Sequence, residues 1–316
     1  GQWAVGSGQW AEKSVSREYF VLSKFLCLII AKEFAMNSLL IRSMIVSLFF
    51  QALPLLAAEP KPLAISWEKN YLTIRGEFPG DEIKIMYLEA YCRPGSTDRD
   101  WGQTVIPHKA ELYWINDANG ALHLQDTLAD GVTVKHVITP GVDEVDFQLT
   151  ANNPTDKESQ AHWAQPCIRV DKFTGAGNSD ARTLVPAYAR KSFIFLDGKL
   201  TRLPTEPWAD KARYVPGQVY CPKNVDRNDV NPRPLSKLVP SSGLCGCFSA
   251  DEKQIMAVAW DPYQEIFQGV VACIHSDFRL GGLKQGEEKK IHGKLYIVPA
   301  DVEKLVKRYE KDFAKK

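Results

Sequence analysis

The chain has 316 residues, of which 45% are hydrophobic and 24% are charged, a composition typical of a folded globular protein. Its 39 basic and 38 acidic side chains leave a formal net charge of +1, and no block of Lys and Arg is long enough to follow a phosphate backbone. The composition therefore excludes a disordered or collagen-like chain and argues against a nucleic-acid partner.

Residues 36–58 have the pattern of an export signal, because they begin with Met36, contain Arg42, continue into an apolar run and end on two alanines. The apolar run is shorter than the roughly 20 residues that cross a bilayer as a helix, so removal is favoured over retention as an anchor. We therefore expect a secreted or periplasmic protein with no stable membrane span after signal removal. Residues 1–35 are interpreted as an over-extended reading frame or as part of a longer leader.

From Ile65 onward, short alternating apolar runs are separated by turn residues, a pattern that predicts antiparallel strands. The predicted strands are 71–77, 83–92, 110–115, 122–125, 132–139, 145–151, 161–170, 192–196, 254–260, 266–275 and 290–298. About a dozen strands exceed the number in an immunoglobulin domain. The simplest architecture is an all-β, large antiparallel two-sheet sandwich over residues 59–298.

Only the last segment, 299–316, has a helical period, with Val302, Leu305 and Tyr309 on one face. It predicts an amphipathic C-terminal helix packed on the sandwich. The connection 204–242 has no sustained period, but its Pro, Asn, Asp, Arg and Tyr content predicts an ordered, functional segment.

Six cysteines follow the export signal, an even number that permits one or more disulfides in an exported chain. They are Cys92, Cys167, Cys221, Cys245, Cys247 and Cys273. Their pairing stays open, and buried thiols are the alternative. A zinc site formed by Cys221, Cys245 and Cys247 is disfavoured, because C-x-C is not the usual C-x2-C spacing and no His lies nearby in the sequence. No metal and no other cofactor are predicted, and the oligomeric state stays open.

Two stretches of the sequence resemble the galactose mutarotase-like, or aldose 1-epimerase-like, family of β-supersandwiches. At 145–155 a strand ends in an Asn- and Thr-containing turn, and 161–163 then supplies a His followed by an aromatic residue. The stretches 271–277 and 281–287 resemble the carboxy-terminal end of the family. The resemblance covers 132–298 and implies a divergent member with the mutarotase-like fold.

In that family a general acid, commonly His, and a general base, commonly Glu, open a sugar ring, which requires two groups in different environments. The resemblance puts His162 at the position of the acid, but His275 stands where the Glu is expected. Glu265 lies ten residues before His275 and is expected to precede the strand. Asp277 shares a strand face with His275 and could orient its imidazole. We predict His162, His275 and Asp277 as catalytic residues and expect galactose or glucose mutarotation to be slow or undetectable.

The predicted strand 161–170 and the long connection also supply candidate sugar-binding residues. By alternation Gln165, Arg169 and Asp171 share one face, which is opposite to that of His162 unless Pro166 introduces a bulge. The guanidinium of Arg169 can bind a carboxylate or sulfate at two points, which suits an acidic sugar. From the connection, the predicted substrate-binding residues are Tyr214, Tyr220 and Arg233.

The chain has no G-x-S-x-G, H-E-x-x-H, P-loop or G-x-G-x-x-G motif, so hydrolase triads, zincin proteolysis and nucleotide chemistry lack support. The prediction is an exported carbohydrate-active protein that acts on a sugar or oligosaccharide by acid–base chemistry. If it is an enzyme, it is an epimerase, a mutarotase-like isomerase or a lyase. The alternatives are a non-catalytic carbohydrate-binding or structural module and an interaction protein of the cell envelope.

Overall fold

The computed structural model describes residues 61–95, 100–177, 185, 187–207, 218–230, 234–269 and 271–314. The interpretations of 1–35 as an extension and of 36–58 as an export signal lie outside the described residues, and so do Tyr214 and Arg233.

The described strands form two antiparallel sheets, which we call sheet I and sheet II. In chain order the strands are β1 (Ala64–Glu68), β2 (Tyr71–Arg75), β3 (Glu82–Cys92), β4 (Val105–Ile106), β5 (His108–Asn116), β6 (Ala121–Leu128), β7 (Thr133–Pro140), β8 (Glu144–Asn152), β9 (Trp163–Arg169), β10 (Ser192–Leu196), β11 (Lys199–Arg202), β12 (Val219–Tyr220), β13 (Cys245–Phe248), β14 (Gln254–Asp261), β15 (Tyr263–Gln268), β16 (Cys273–Arg279) and β17 (Glu288–Pro299). Sheet I has the order β1-β2-β3-β9-β16-β15-β12, with β4 paired to β3. Sheet II has the order β11-β10-β13-β14-β17-β8-β7-β6-β5. This confirms the predicted all-β, two-sheet antiparallel fold.

The main hydrophobic core lies between the two sheets. Sheet I contributes residues such as Ile168 and Ile274, and sheet II contributes residues such as Phe147 and Trp260, all at most 3% exposed. Because side chains alternate along a strand, the neighbours of Ile168 and Ile274 point to the opposite side of sheet I. We call that side, which faces away from sheet II, the outer face of sheet I.

The helices are α1 (Trp101–Thr104), α2 (Asp171–Thr174), α3 (Ala187–Lys191) and α4 (Val302–Asp312). Helix α4 begins after Asp301, whose side chain accepts a hydrogen bond from the backbone N–H of Lys304. Its apolar face, including Leu305, packs with Tyr296 and other residues on the side of sheet II that faces away from sheet I. The predicted C-terminal helix is therefore confirmed. Of the helices formed by described residues, none is long and apolar enough to cross a bilayer.

The predicted single strand 266–275 is wrong, because this segment contains the end of β15, a short connection and the beginning of β16. The connection has Ala272 at a φ of 48°. The apolar run continues through it with no Asn-Gly or Pro signal, so hydrophobic periodicity alone could not locate it. The hairpin places Glu265 inside a strand, directly opposite Asp277 in the register.

Candidate functional site

The outer face of sheet I carries a row of polar residues along its two central strands. The side chains that β9 places on this face are Trp163, Gln165, Cys167 and Arg169. Those that β16 places there are Cys273, His275, Asp277 and Arg279. The two strands pair with Arg169 opposite Cys273 and with Cys167 opposite His275. The register therefore brings together residues that lie far apart in the sequence.

Two carboxyl groups lie side by side in the middle of this row. Asp277 of β16 pairs with Glu265 of β15, and both residues are 0% exposed. Burial raises the pKa of Asp277 well above its usual value, and the nearby charges of Glu265 and Glu89 add to the effect. The expectation that Glu265 lies before the strand was wrong.

Glu89 brings an exposed carboxylate to the same face. It lies where the pairing of β3 with β9 shifts its register between Met86 and Ala90. Nε2 of Gln165 donates a hydrogen bond to Oε2 of Glu89 over 3.0 Å. Glu89 is not among the predicted site residues, although it is the one charged side chain in the apolar stretch 85–92, a pattern that singles it out.

His275 lies beside the carboxyl pair and is 3% exposed. Its Nε2 is 3.4 Å from Sγ of Cys273, and its Nδ1 is 3.9 Å from Oδ1 of Asp277. The imidazole stacks on Phe267, with ring centroids 4.3 Å apart. The predicted neighbours His275 and Asp277 are therefore on one face, at a distance longer than a hydrogen bond.

The thiols of Cys167 and Cys273 join His275 in a cluster that could hold a metal ion. One ligand atom from each of the three residues lies within 4.8 Å of the others. A hydrogen bond with Cys273 and burial raise the pKa of the Cys167 thiol well above its usual value.

His162 lies at the far end of the row, just before β9, and belongs to an ion-pair cluster. Its Nδ1 is 3.0 Å from Oδ2 of Asp229, and Nη1 of Arg279 donates to the same oxygen over 2.9 Å. Burial alone would raise the pKa of Asp229, but the hydrogen bonds to His162 and Arg279 outweigh it and hold this pKa below its usual value. Arg279 also donates to Oε1 of Gln264.

The structure does not bring His162 and His275 together. His275 is paired with Cys167, five residues beyond His162. At about 3.3 Å per residue, the two histidines are separated by about 16 Å along the sheet. This distance is longer than one sugar ring, so the two residues cannot act as an acid–base pair on the same ring in this arrangement.

At the other end of the row, an open cleft of about 630 Å³ lies on the outer face of β1, β2 and β3 and reaches Arg169. It is lined by Ser66, Glu68, Lys69, Tyr71, Thr73, Arg75, Lys84, Arg169 and Asp171. Nη1 of Arg169 donates to the carbonyl oxygen of Val271 over 3.0 Å. Tyr71 lines the same cleft beside Arg169.

The other described residues that were predicted to bind sugar do not lie together at one site. Asp171 begins α2 and lines the cleft together with Arg169, whereas Gln165 lies further along the row with Glu89. Tyr220 is 0% exposed and its hydroxyl is 2.7 Å from that of Thr205. Burial raises the pKa of Tyr220 to about 12. Its ring therefore has no face open to a sugar, contrary to the expectation.

The cysteines described by the structure are all buried, and none of them forms a disulfide. Cys245 and Cys247 lie in β13 of sheet II, whereas Cys221 packs around Phe267 of sheet I. Phe267 is also covered by Val219, Val225 and Val230, so part of the long connection lies over the outer face.

Comparisons with known proteins find matches only among solved structures, since no family model and no curated protein matches the chain. A galactose mutarotase-like protein from Clostridium acetobutylicum is 10% identical, with a TM-score of 0.39 over 74% of this chain and 94% of that one. A galactose mutarotase-like protein from Lactobacillus casei is 9% identical, with a TM-score of 0.38 over 74% and 99% of the two chains. A candidate aldose 1-epimerase from Escherichia coli K12 is 9% identical, with a TM-score of 0.36 over 74% and 98%.

These three proteins carry the family names that the motifs of this sequence resemble. Because each of these three TM-scores is below 0.5, the likeness assigns no activity and no residue role to this chain. Its site must be interpreted from its own residues.

Proposed function

We propose that the outer face of sheet I binds a carbohydrate that carries a carboxylate or sulfate group, with Arg169 as the residue that binds this group. The observation that carries the proposal is the cleft of about 630 Å³ that ends at Arg169. Its volume falls within the range of small-molecule sites. Hydroxyl groups of Ser66, Tyr71 and Thr73 line it, as a polyhydroxylated ligand requires.

The charges of the cleft favour an anionic ligand. Four basic side chains, Lys69, Arg75, Lys84 and Arg169, line it together with two acidic ones, Glu68 and Asp171. Glu82 offsets Arg75 and Lys84, from which it is 2.8 and 3.5 Å away. The hydrogen bond of Arg169 to the Val271 carbonyl does not neutralise its positive charge, so the guanidinium can bind an anionic group of a ligand.

A second candidate function, acid–base chemistry on the bound sugar, is favoured by the carboxyl groups beyond the cleft. Gln165 lies four residues before Arg169, which is about 13 Å along β9. An oligosaccharide held at Arg169 can therefore bring another ring to the exposed Glu89, which Gln165 contacts. A carboxylate at this position can accept a proton in an isomerase or lyase reaction.

Calorimetry of the purified protein with oligouronates, and with neutral oligosaccharides of the same length, tests the binding proposal. We expect tighter binding of the acidic series. Arg169→Gln should weaken it by about 10-fold to 100-fold, the scale for a charge-assisted hydrogen bond. Arg202→Gln is the matched control, because Arg202 lies in β11 of sheet II and pairs with Glu252. Equal affinity for both series, or unchanged binding in Arg169→Gln, would contradict the proposal.

Product analysis by NMR separates catalysis from binding alone. If the protein turns over an acidic oligosaccharide, Glu89→Gln should lower the rate by about 100-fold or more while binding persists. Glu111→Gln, an exposed carboxylate of β5, should leave the rate unchanged. Binding without turnover in the unmodified protein would show a non-catalytic carbohydrate-binding module.

A further inference from the structure

Three side chains of the kinds that bind zinc converge on the outer face of sheet I. Cys167 comes from β9, and Cys273 and His275 come from β16, and one ligand atom of each lies within 4.8 Å of the others. We infer that Cys167, Cys273 and His275 form a binding site for a soft divalent metal ion, for which zinc is the best match. This inference is independent of the sugar proposal.

The distances fit a zinc ion. Zn–S bonds of about 2.3 Å and Zn–N bonds of about 2.0–2.1 Å in a tetrahedron place neighbouring ligand atoms about 3.5–4 Å apart. Sγ of Cys273 and Nε2 of His275 are already 3.4 Å apart. Two thiolates and one imidazole form a donor set that zinc prefers, with a fourth position left for water or a ligand.

A second observation comes from the other side of the imidazole. Nδ1 of His275 faces Oδ1 of Asp277 at 3.9 Å, and neither atom has a hydrogen-bond partner among the described residues. Both residues are at least 97% buried, so this arrangement requires an explanation. A zinc-bound imidazole usually donates its other N–H to a carboxylate, and Asp277 is placed for that role after a small movement.

Gly269 provides room beside the ligand atoms. A Cβ at this position would lie 2.1 Å from Sγ of Cys273 and 3.2 Å from Nε2 of His275. Tyr188 holds the connection by donating its hydroxyl hydrogen to the carbonyl oxygen of Gly269. Any residue other than glycine would therefore fill space next to two of the three ligands.

A disulfide between Cys167 and Cys273 is the competing explanation, and the register argues against it. The two residues are diagonal, since Cys167 pairs with His275 and Cys273 with Arg169. Diagonal positions of an antiparallel pair are about 7–8 Å apart, somewhat less between Cβ atoms. A disulfide requires Cβ atoms about 3.5–4.5 Å apart, whereas a bridging metal ion permits a wider separation.

The test is metal titration of the full chain after reduction and removal of bound metal with a chelator. We expect one zinc ion per chain, and cobalt in its place should give the near-ultraviolet absorption of thiolate ligands. Cys167→Ala and Cys273→Ala should each weaken binding by at least about 100-fold, and Asp277→Asn by about 10-fold to 100-fold. Cys247→Ala is the matched control, because it removes a buried thiol from sheet II.

X-ray absorption of the zinc-loaded unmodified protein tests the ligands even if a variant fails to fold. The inference requires two sulfur ligands at about 2.3 Å and a nitrogen ligand at about 2.0–2.1 Å. Failure of the reduced protein to bind zinc would overturn it. Equal loss of binding in Cys247→Ala, or a zinc shell without sulfur, would overturn it as well.

Discussion

Buried ionisable side chains occur in two different settings in this protein. Between the sheets, Oη of Tyr91 donates to Oδ2 of Asp126 over 2.5 Å, and Nε2 of His136 is 3.2 Å from the same oxygen. Oη of Tyr87 completes this network at 2.8 Å from Nδ1 of His136. On the outer face of sheet I, by contrast, the oxygens of Asp277 have no hydrogen-bond partner among the described residues. The satisfied network stabilises the fold, whereas the buried carboxyl group of Asp277 lacks such stabilisation.

The internal network predicts a large effect of removing its carboxylate. Asp126→Ala should lower the free energy of unfolding by about 3–5 kcal/mol, because it leaves His136 and Tyr91 buried without their partner. Chemical denaturation measures this change. Glu111→Ala removes an exposed carboxylate that pairs with Lys109, and it should cost at most about 1 kcal/mol. Equal effects of the two substitutions would contradict the structural role of Asp126.

The same carboxylate predicts a dependence of stability on pH. Burial raises the pKa of Asp126, but its interactions with His136 and Tyr91 outweigh burial and hold this pKa below its usual value. A carboxyl group with a lowered pKa in the folded state contributes its full stabilisation above its unfolded pKa of about 3.9. The contribution is lost as the pH falls through the folded pKa. The difference in stability between the unmodified protein and Asp126→Asn should therefore shrink below about pH 4.

At the scale of elements, the site depends on irregular strand pairing. The register shift between Met86 and Ala90 accompanies the exposed position of Glu89, and the connection between β15 and β16 puts Glu265 beside Asp277.

In sheet II, the backbone of β14 approaches β13 so closely at Gly246 that the position requires a residue without a side chain. A Cβ there would lie 2.2 Å from the carbonyl oxygen of Met256 in the neighbouring strand.

Gly246→Ala should therefore destabilise sheet II. The clash is with backbone that is paired in the sheet, so relief requires strand movement, and we expect a loss of about 1–3 kcal/mol or more. Thermal or chemical denaturation gives the value. Gly102→Ala is the control, because no atom lies within 4 Å of a Cβ at that position in α1 and alanine favours a helix. An unchanged stability in Gly246→Ala would mean that the two strands are further apart than described.

At the scale of the whole molecule, the two sheets differ in what lies on the sides that face away from the core. Helix α4 covers apolar residues on the outward side of sheet II. The outer face of sheet I carries the cleft and the polar row instead. The outward side of sheet II therefore carries a second hydrophobic cluster, whereas the outward side of sheet I carries polar residues.

Export would affect the whole chain, and its prediction depends on the signal pattern of residues 36–58. In an exporting bacterial host, amino-terminal sequencing of the mature protein should begin at or near Glu59, because the apolar run is followed by two small residues. Leu48→Asp places a charge in this run and should abolish cleavage. Recovery of a membrane-bound product that retains Met36 would favour an anchor.

The sequence by itself determined the fold class and the C-terminal helix, since both depend on local periodicity. Alternation along strands such as β7 and β8 specifies which side chains are buried, and the spacing of Val302, Leu305 and Tyr309 specifies a helix face. Only the tertiary structure decided which polar residues meet. Cys167 reaches His275 through the pairing of strands far apart in the chain, and Glu265 reaches Asp277 through a turn hidden in an apolar run. Strand register and bulges are set by packing across the whole sheet. The alternation of apolar and polar residues along one strand therefore cannot predict them.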